Sequence, residues 1–439
     1  SITNNLPERG SVYSLAEDHV DPDLLFVGTE FGCFFTADGG QHWKQLKAGL
    51  PTIAVRDMAI QKRENDLVLG TFGRGFYVLD DYSPLRQMKE ENLQADAQIF
   101  PIKDGLLFVE ASPLGGAGNS FQGHTLYTAE NPEVGVAFTY FIKESAKTLE
   151  QQRQAEEAKK MKEGEEIRYP TYEELKAERE EEAAYLLFTI RDEAGNIVRK
   201  LKKNGVRAGV HRIVWDGRLP SLQPVRLGGG GRGRSNNSGM MALPGDYTVS
   251  LSQSVNGEMT ELVAPVSFTI NSLGGVTLPA KDRNALVEFQ REAAELQRAV
   301  SGANAMLSDI SERLQHMRVA AEAVAIPHPE LAPALNKVEA KVADIREAMY
   351  GDRTASRVDA PSKPGISSRI GRVVYGMYRT TSAPTQTQRD NLRIAEEAFQ
   401  PILTRIRNIM NTDIKNLETK LEAAGAPYTP GRMVDYGKY

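Results

Sequence analysis

The sequence holds one cysteine, Cys33, so it can build neither an internal disulfide framework nor a multi-cysteine zinc site. Its six histidines are scattered, with no His-x-x-His or His-Glu-x-x-His spacing to seat a zinc ion. No run of about 18 apolar residues occurs, so no stretch of these residues reads as a membrane-spanning helix. With 53 basic and 58 acidic residues the net charge is -5, and no basic face suited to nucleic acid stands out. A Gly-x-Ser-x-Gly elbow, a P-loop and a dinucleotide fingerprint are all missing, so no cofactor is expected. The glycines of "GTFGRG" lie between two strand-like runs and read as a turn.

What is present is an ordinary globular composition, 41% hydrophobic and 25% charged, over 439 residues. That length exceeds one core and predicts several domains. The opening "SITNNLPERGSVYSL" has neither the basic region nor the apolar core of a signal peptide. It passes directly into strand-like alternation, and the chain is therefore read as part of a longer polypeptide.

Two stretches repeat. "LLFVGTEFGCFFTAD" lies on "DLVLGTFGRGFYVLD" with Gly28 on Gly70, Thr29 on Thr71, Phe34 on Phe76, Phe35 on Tyr77 and Asp38 on Asp80. The offset of 42 (70 minus 28) falls in the range of a four-stranded propeller blade, about 40–50 residues. Each copy is preceded by another short strand, "VYSLAED" or "VRDMAIQ". Two such units cannot close a propeller, which needs about four. The remaining blades are expected N-terminal to Ser1, on the same or a cleaved chain.

"TADGGQHW" resembles the Asp-box of BNR and sortilin-type propellers, with Thr36, Asp38, Gly40 and Trp43 at its fixed positions. Asp38 would accept backbone N–H groups of the turn, glycine would take positive φ, and Trp43 would pack between neighbouring sheets. In that family the box is structural. The wider stretch is similar to the last blades of exported WD40/YVTN/BNR-like (sortilin/Vps10-like) bacterial proteins, often labelled glycosyl hydrolases. The resemblance implies a cell-surface, extracellular or periplasmic location.

The fold class expected is multidomain, mainly β and then α. Residues 1–103 are read as the last two blades of a β-propeller. Residues 104–274 are read as an Ig/FN3-like β-sandwich, from "HTLYTA", "VGVAFTYFIK", "YLLFTIRD", "NIVRKL", "VHRIVWDG", "DYTVSLSQ" and "VAPVSFTI". Trp215 is its expected core plug. A charged helical arm, 144–182, interrupts the sandwich and is broken by Gly164 and Pro170. It reads as a solvated arm, with partner binding as the alternative. A Gly-rich segment, 226–241, reads as a connecting loop.

Residues 275–439 form the third domain, an antiparallel helical bundle with a tail. Leu286, Phe289, Ala293, Leu296, Val300, Ala303, Leu307, Ile310, Leu314 and Met317 step by threes and fours. Leu331, Leu335, Val338, Val342, Ile345 and Met349 do the same, as does a last helix that opens on a Thr385/Gln388 capping box. No Glu-x-x-His pair is present to build a di-iron site.

Asp18, Asp21 and Asp23 in "DHVDPD" lack the spacing of a calcium loop. Glu30, Arg56, Asp57 and Arg74 are the candidate funnel-lining residues, and an acidic pair among them is what a glycosidase would need. The leading expectation is a non-catalytic binding or scaffolding component of a bacterial surface assembly. Its expected partners are the remaining blades and other surface proteins, with glycan or peptide as ligand classes. The alternatives are a propeller glycoside hydrolase and a peptide-binding sortilin-like receptor.

Overall fold

The computed structural model describes residues 2–47, 49–108, 129, 131–224, 238–273, 280–378 and 382–433. Its fold is mixed β and α and divides into two compact units. One comprises the chain up to Gly217 together with Pro244–Ser272; the other comprises Arg218–Leu243 and everything from Leu273 onward.

The first unit begins with two antiparallel meanders. Strands β1 (Val12–Glu17), β2 (Leu25–Thr29), β3 (Gly32–Thr36) and β4 (Lys44–Gln45) form the first, and β5 (Val55–Gln61), β6 (Asp66–Thr71) and β7 (Phe76–Leu79) the second. The repeat extends to irregularities: β1 shifts register between Val12 and Ser14, and β5 between Val55 and Asp57. The offset is not constant, however. Gly28 pairs with Ser14 and Gly70 with Asp57, so the first strands of the two copies lie 43 apart (57 minus 14) while the second strands keep 42. Thr29 pairs with Gly32, whereas the Thr71 amide reaches Gly75 O, so the second hairpin turn is one residue longer. From there on Asp81, not Asp80, corresponds to Asp38.

Leu24, Phe26, Cys33 and Phe35 of the first meander pack with Val55, Leu67, Leu69 and Tyr82 in one buried cluster. This burial follows from strand alternation, which sends Phe26 and Phe35 to one face and Val27 and Phe34 to the other. On the far face of the second meander, Phe76 is 81% and Val78 53% exposed.

Further strands follow: β8 (Ala97–Ile99), β9 (Gly105–Leu107), β10 (Val136–Ile142), β11 (Tyr185–Asp192), β12 (Ile197–Asn204) and β13 (Gly209–Trp215). After them β14 (Arg218–Pro220) and β15 (Ser238–Met241) form a two-stranded ribbon of the second unit. Strands β16 (Gly245–Val255) and β17 (Glu258–Ser272) return to the first unit. A sheet of order β13-β10-β8 faces one of order β12-β11-β16-β17-β9, in which β9 pairs parallel to β17. Phe138 meets Phe268 edge-on at 5.3 Å, Tyr140 meets Phe188 at 4.9 Å, and Trp215 meets Tyr247 at 5.5 Å. Trp215 is fully buried in this aromatic core. Of the expected strands, "HTLYTA" lies outside the described residues except for Ala129, and so does most of the Gly-rich segment.

The charged insertion forms two helices, α1 (Leu149–Glu163) and α2 (Tyr172–Glu180), neither with a buried residue. Capping boxes start both, Thr148 with Gln151 and Thr171 with Glu174, and Gly164 ends the first in the left-handed conformation. Arg153 of α1 joins the two by donating to Glu178 of α2 at 2.6 Å.

In the second unit, α3 (Arg283–Glu322), α4 (Leu331–Tyr350), the short α5 (Arg353–Arg357), α6 (Ile366–Tyr378), α7 (Gln386–Asn408) and α8 (Ile414–Ala423) follow in order. All of these but α5 share one core with Met240 of β15. Of the predicted α3 seam, Leu296 is partly buried and the other nine positions are buried; so are all six on α4. The last helix departs from expectation: a π turn, Ile409–Asp413, interrupts it, and Lys341 donates to Asp413 there at 2.8 Å.

Candidate functional site

The "TADGGQHW" stretch is a hairpin turn built on two side chains, Thr36 and Asp38. Asp38 Oδ1 accepts from the Thr36 hydroxyl at 2.6 Å and from the Gln41 and His42 amides at 2.9 Å, while Oδ2 meets His42 Nδ1 at 2.8 Å. Thr36 Oγ1 in turn accepts the Gly40 amide at 3.1 Å. Gly39 and Gly40 sit at φ 68° and 94°, which an L-residue adopts only with strain. A Cβ on Gly40 would also lie 2.8 Å from Ile2 Cβ. Burial works to raise the Asp38 pKa, but the Thr36, His42 and Gln41 hydrogen bonds outweigh it and hold it at about 2.

Trp43 lies with Val27 and Phe34 on the face turned away from the second meander. The N-terminal segment covers it. Trp43 Nε1 donates to Ile2 O at 2.7 Å, its amide to Asn5 Oδ1 at 2.7 Å, and Asn5 Nδ2 to Trp43 O at 2.9 Å. Asn5 and His42 are residues that sequence reading passed over. The signal available for His42 was its place four residues after Asp38.

An open cleft of about 930 Å³ borders this turn, with Asp23, His42, Lys44 and Lys89 on its walls. Among the described residues His42 bonds only to Asp38, with no serine, threonine or cysteine hydroxyl or thiol on its ring. The pair therefore braces the turn. It lacks the nucleophile that a hydrolytic triad would require.

In the second copy Asp81 takes the corresponding place, accepting the Ser83 hydroxyl at 2.6 Å and amide at 3.3 Å. Asp80 instead has its pKa raised, by burial and then by the neighbouring Asp66 carboxylate.

Glu30, Arg56, Asp57 and Arg74 collect at the opposite end of the meanders, since Val12 pairs with Thr29 and Val55 with Thr71 there. All four are exposed. Arg56, the bulged residue of β5, stacks 4.0 Å over the ring of Tyr13, the bulged residue of β1, and 5.2 Å from that of Phe72. Asp57 caps only the amide of Met58, at 2.9 Å. No hydrogen bond or ion pair joins any two of the four among the described residues. What the arrangement presents is one guanidinium set against two aromatic rings.

Asp18 is not a cation ligand. It is buried, and its two oxygens accept Arg86 Nε at 2.7 Å, Arg86 Nη2 at 2.9 Å and the Tyr82 hydroxyl at 2.6 Å. Burial alone would raise its pKa, but Arg86 and Tyr82 hold it well below the usual carboxylate range. Lys89 lies 3.5 Å from Asp21 and 3.7 Å from Asp23. Among the described residues no three His, Cys, Asp or Glu side chains are grouped to hold a metal ion, and no helix is long and apolar enough to cross a membrane.

No family model matches the chain, and no curated protein matches it. Among solved structures, two extracellular domains from B. thetaiotaomicron, one of a hybrid two-component system and one of a one-component system, are similar at 11% identity with TM-scores of 0.15 and 0.13. The matches cover 61% and 60% of this chain, and the chain spans about a quarter (25%) of each of those structures.

Proposed function

We propose that this chain is the C-terminal portion of a longer, exported BNR/sortilin-like propeller protein that serves as a non-catalytic binding or scaffolding component of a bacterial surface assembly. On this reading the two meanders are propeller blades, the facing sheets an Ig-like module, and the helical unit an accessory bundle. The observation that carries the reading is the matched bulge of β1 and β5 in two stacked meanders, with apolar side chains left on the outer face of the second. Phe76 and Val78 on an open sheet face are what the first blade of a closed ring would cover. The arm supports a scaffolding role: Tyr169 and Tyr172, 92% and 73% exposed, lie between its helices and at the start of α2.

The test is a Phe76→Asp/Val78→Asp double variant, made both in this chain and in the longer gene product. The reading expects the short chain to tolerate it and the longer protein to lose folded material. Equal tolerance in both would sink the propeller reading. Release of reducing sugar from a glycan panel that disappears in Asp57→Asn would instead establish an enzyme.

A further inference from the structure

The second unit carries a cavity of about 390 Å³ between the β14–β15 ribbon and helices α3 and α6. That volume is within the range of small-molecule sites. The room exists because α6 has Gly371 where a side chain would otherwise stand: a Cβ there meets no heavy atom within 4 Å. Met240 and Val374 supply apolar walls, with Gln297 and Ser367 as polar ones. Every lining side chain is uncharged at neutral pH.

The polar groups are not spent on packing. Ser367 Oγ accepts from Asn304 Nδ2 at 3.2 Å, which leaves the serine proton to donate. Gln297 Nε2 donates to Ser301 at 2.8 Å, and its Oε1 has no protein partner among the described residues. The cavity thus offers the Ser367 donor and the Gln297 acceptor, beside the polar side chains of Ser221, Gln223 and Tyr375. Gln290, Gln297 and Asn304 recur at seven-residue spacing along one face of α3, beside the apolar seam. Gln290 Nε2 and Asn304 Oδ1 are buried without partners, an arrangement that packing alone disfavours.

We propose that this cavity binds a small uncharged molecule carrying an amide and an apolar group. The amide C=O would accept from Ser367, its N–H would donate to Gln297 Oε1, and the apolar part would lie against Met240 and Val374. Charged analogues are disfavoured because no opposite charge lines the site.

The test uses N-acetyl-tryptophanamide as the probe, read by ligand-observed saturation-transfer NMR on the whole chain. Transfer is expected at about 1 mM probe, with N-acetyl-tryptophan and tryptamine about tenfold weaker. Gly371→Leu fills the cavity and is expected to abolish transfer with helix content intact. Ser367→Ala is expected to weaken binding about two- to tenfold and carries the test if the leucine variant does not fold. No transfer to the neutral probe, equal transfer to all three probes, or full transfer in a folded Gly371→Leu protein would each overturn the proposal.

Discussion

Arg86 and Asp18, 68 residues apart in the chain, form a bidentate pair in the interior of the first unit, with Nε 2.7 Å from Oδ2 and Nη2 2.9 Å from Oδ1. Tyr82 closes the same carboxylate from the side, and Asn65 Oδ1 accepts Arg86 Nη2 at 2.6 Å. The pair ties the β1–β2 loop to the segment that follows β7.

Removing one partner strands the other in the interior. Arg86→Leu is expected to destabilise the first unit by about 3–5 kcal/mol, the usual cost of breaking a buried pair from one side. Urea denaturation of the variant against the parent measures this. A loss under about 1 kcal/mol would mean that Asp18 is solvated or neutral.

Acid should act through the same carboxylate. The folded-state pKa of Asp18 is depressed, so the unfolded chain takes up its proton first as the pH falls. The stabilisation is present above about pH 4, near the ordinary Asp value of about 3.9, and is lost progressively below it. Asp38, held at about 2, adds a second contribution of the same sign over the pH 4 to 2 window. Asp38→Asn is expected to flatten the lower part of the stability–pH curve. Thermal denaturation from pH 7 down to pH 2 distinguishes the two, and an unchanged curve in Asp38→Asn would rule out its share.

The arm should be dispensable for folding. Leu149 N donates to Glu181 Oε2 at 2.7 Å, so the two ends of the insertion stand side by side. Neither helix buries a side chain. Replacing residues 149–180 by a short Gly/Ser linker is expected to change stability by no more than about 0.5 kcal/mol. A large drop in melting temperature would show that the arm is part of the core.

The helical core should respond in the ordinary way to a cavity. Ile345 on α4 is fully buried among the bundle side chains, and Ile345→Ala is expected to cost about 2–5 kcal/mol. By contrast Lys341→Met, which removes the partly exposed ion pair at the π turn, is expected to cost about 1 kcal/mol or less. Chemical denaturation followed by circular dichroism ranks the two, and the reverse order would place the weight of the unit on the π turn.

The sequence by itself determined the features that a few neighbouring residues control. The helical seams were legible because burial recurs every three to four residues, and the capping box at Thr385 was legible because its partner Gln388 is three residues away. The Asp38 turn was legible for the same reason, since its acceptors and donors fall within residues 36–42. Tertiary structure decided whatever depends on distant residues meeting. No local pattern announces that Asp18 will find Arg86, or that Trp43 will be covered by Ile2 and Asn5. Nor does one show that residues 218–243 leave the sheets for the helical unit, or that one longer hairpin passes the role of Asp80 to Asp81. Strand and helix periods record only which face of an element is apolar. Which element covers that face is settled by packing across the whole chain.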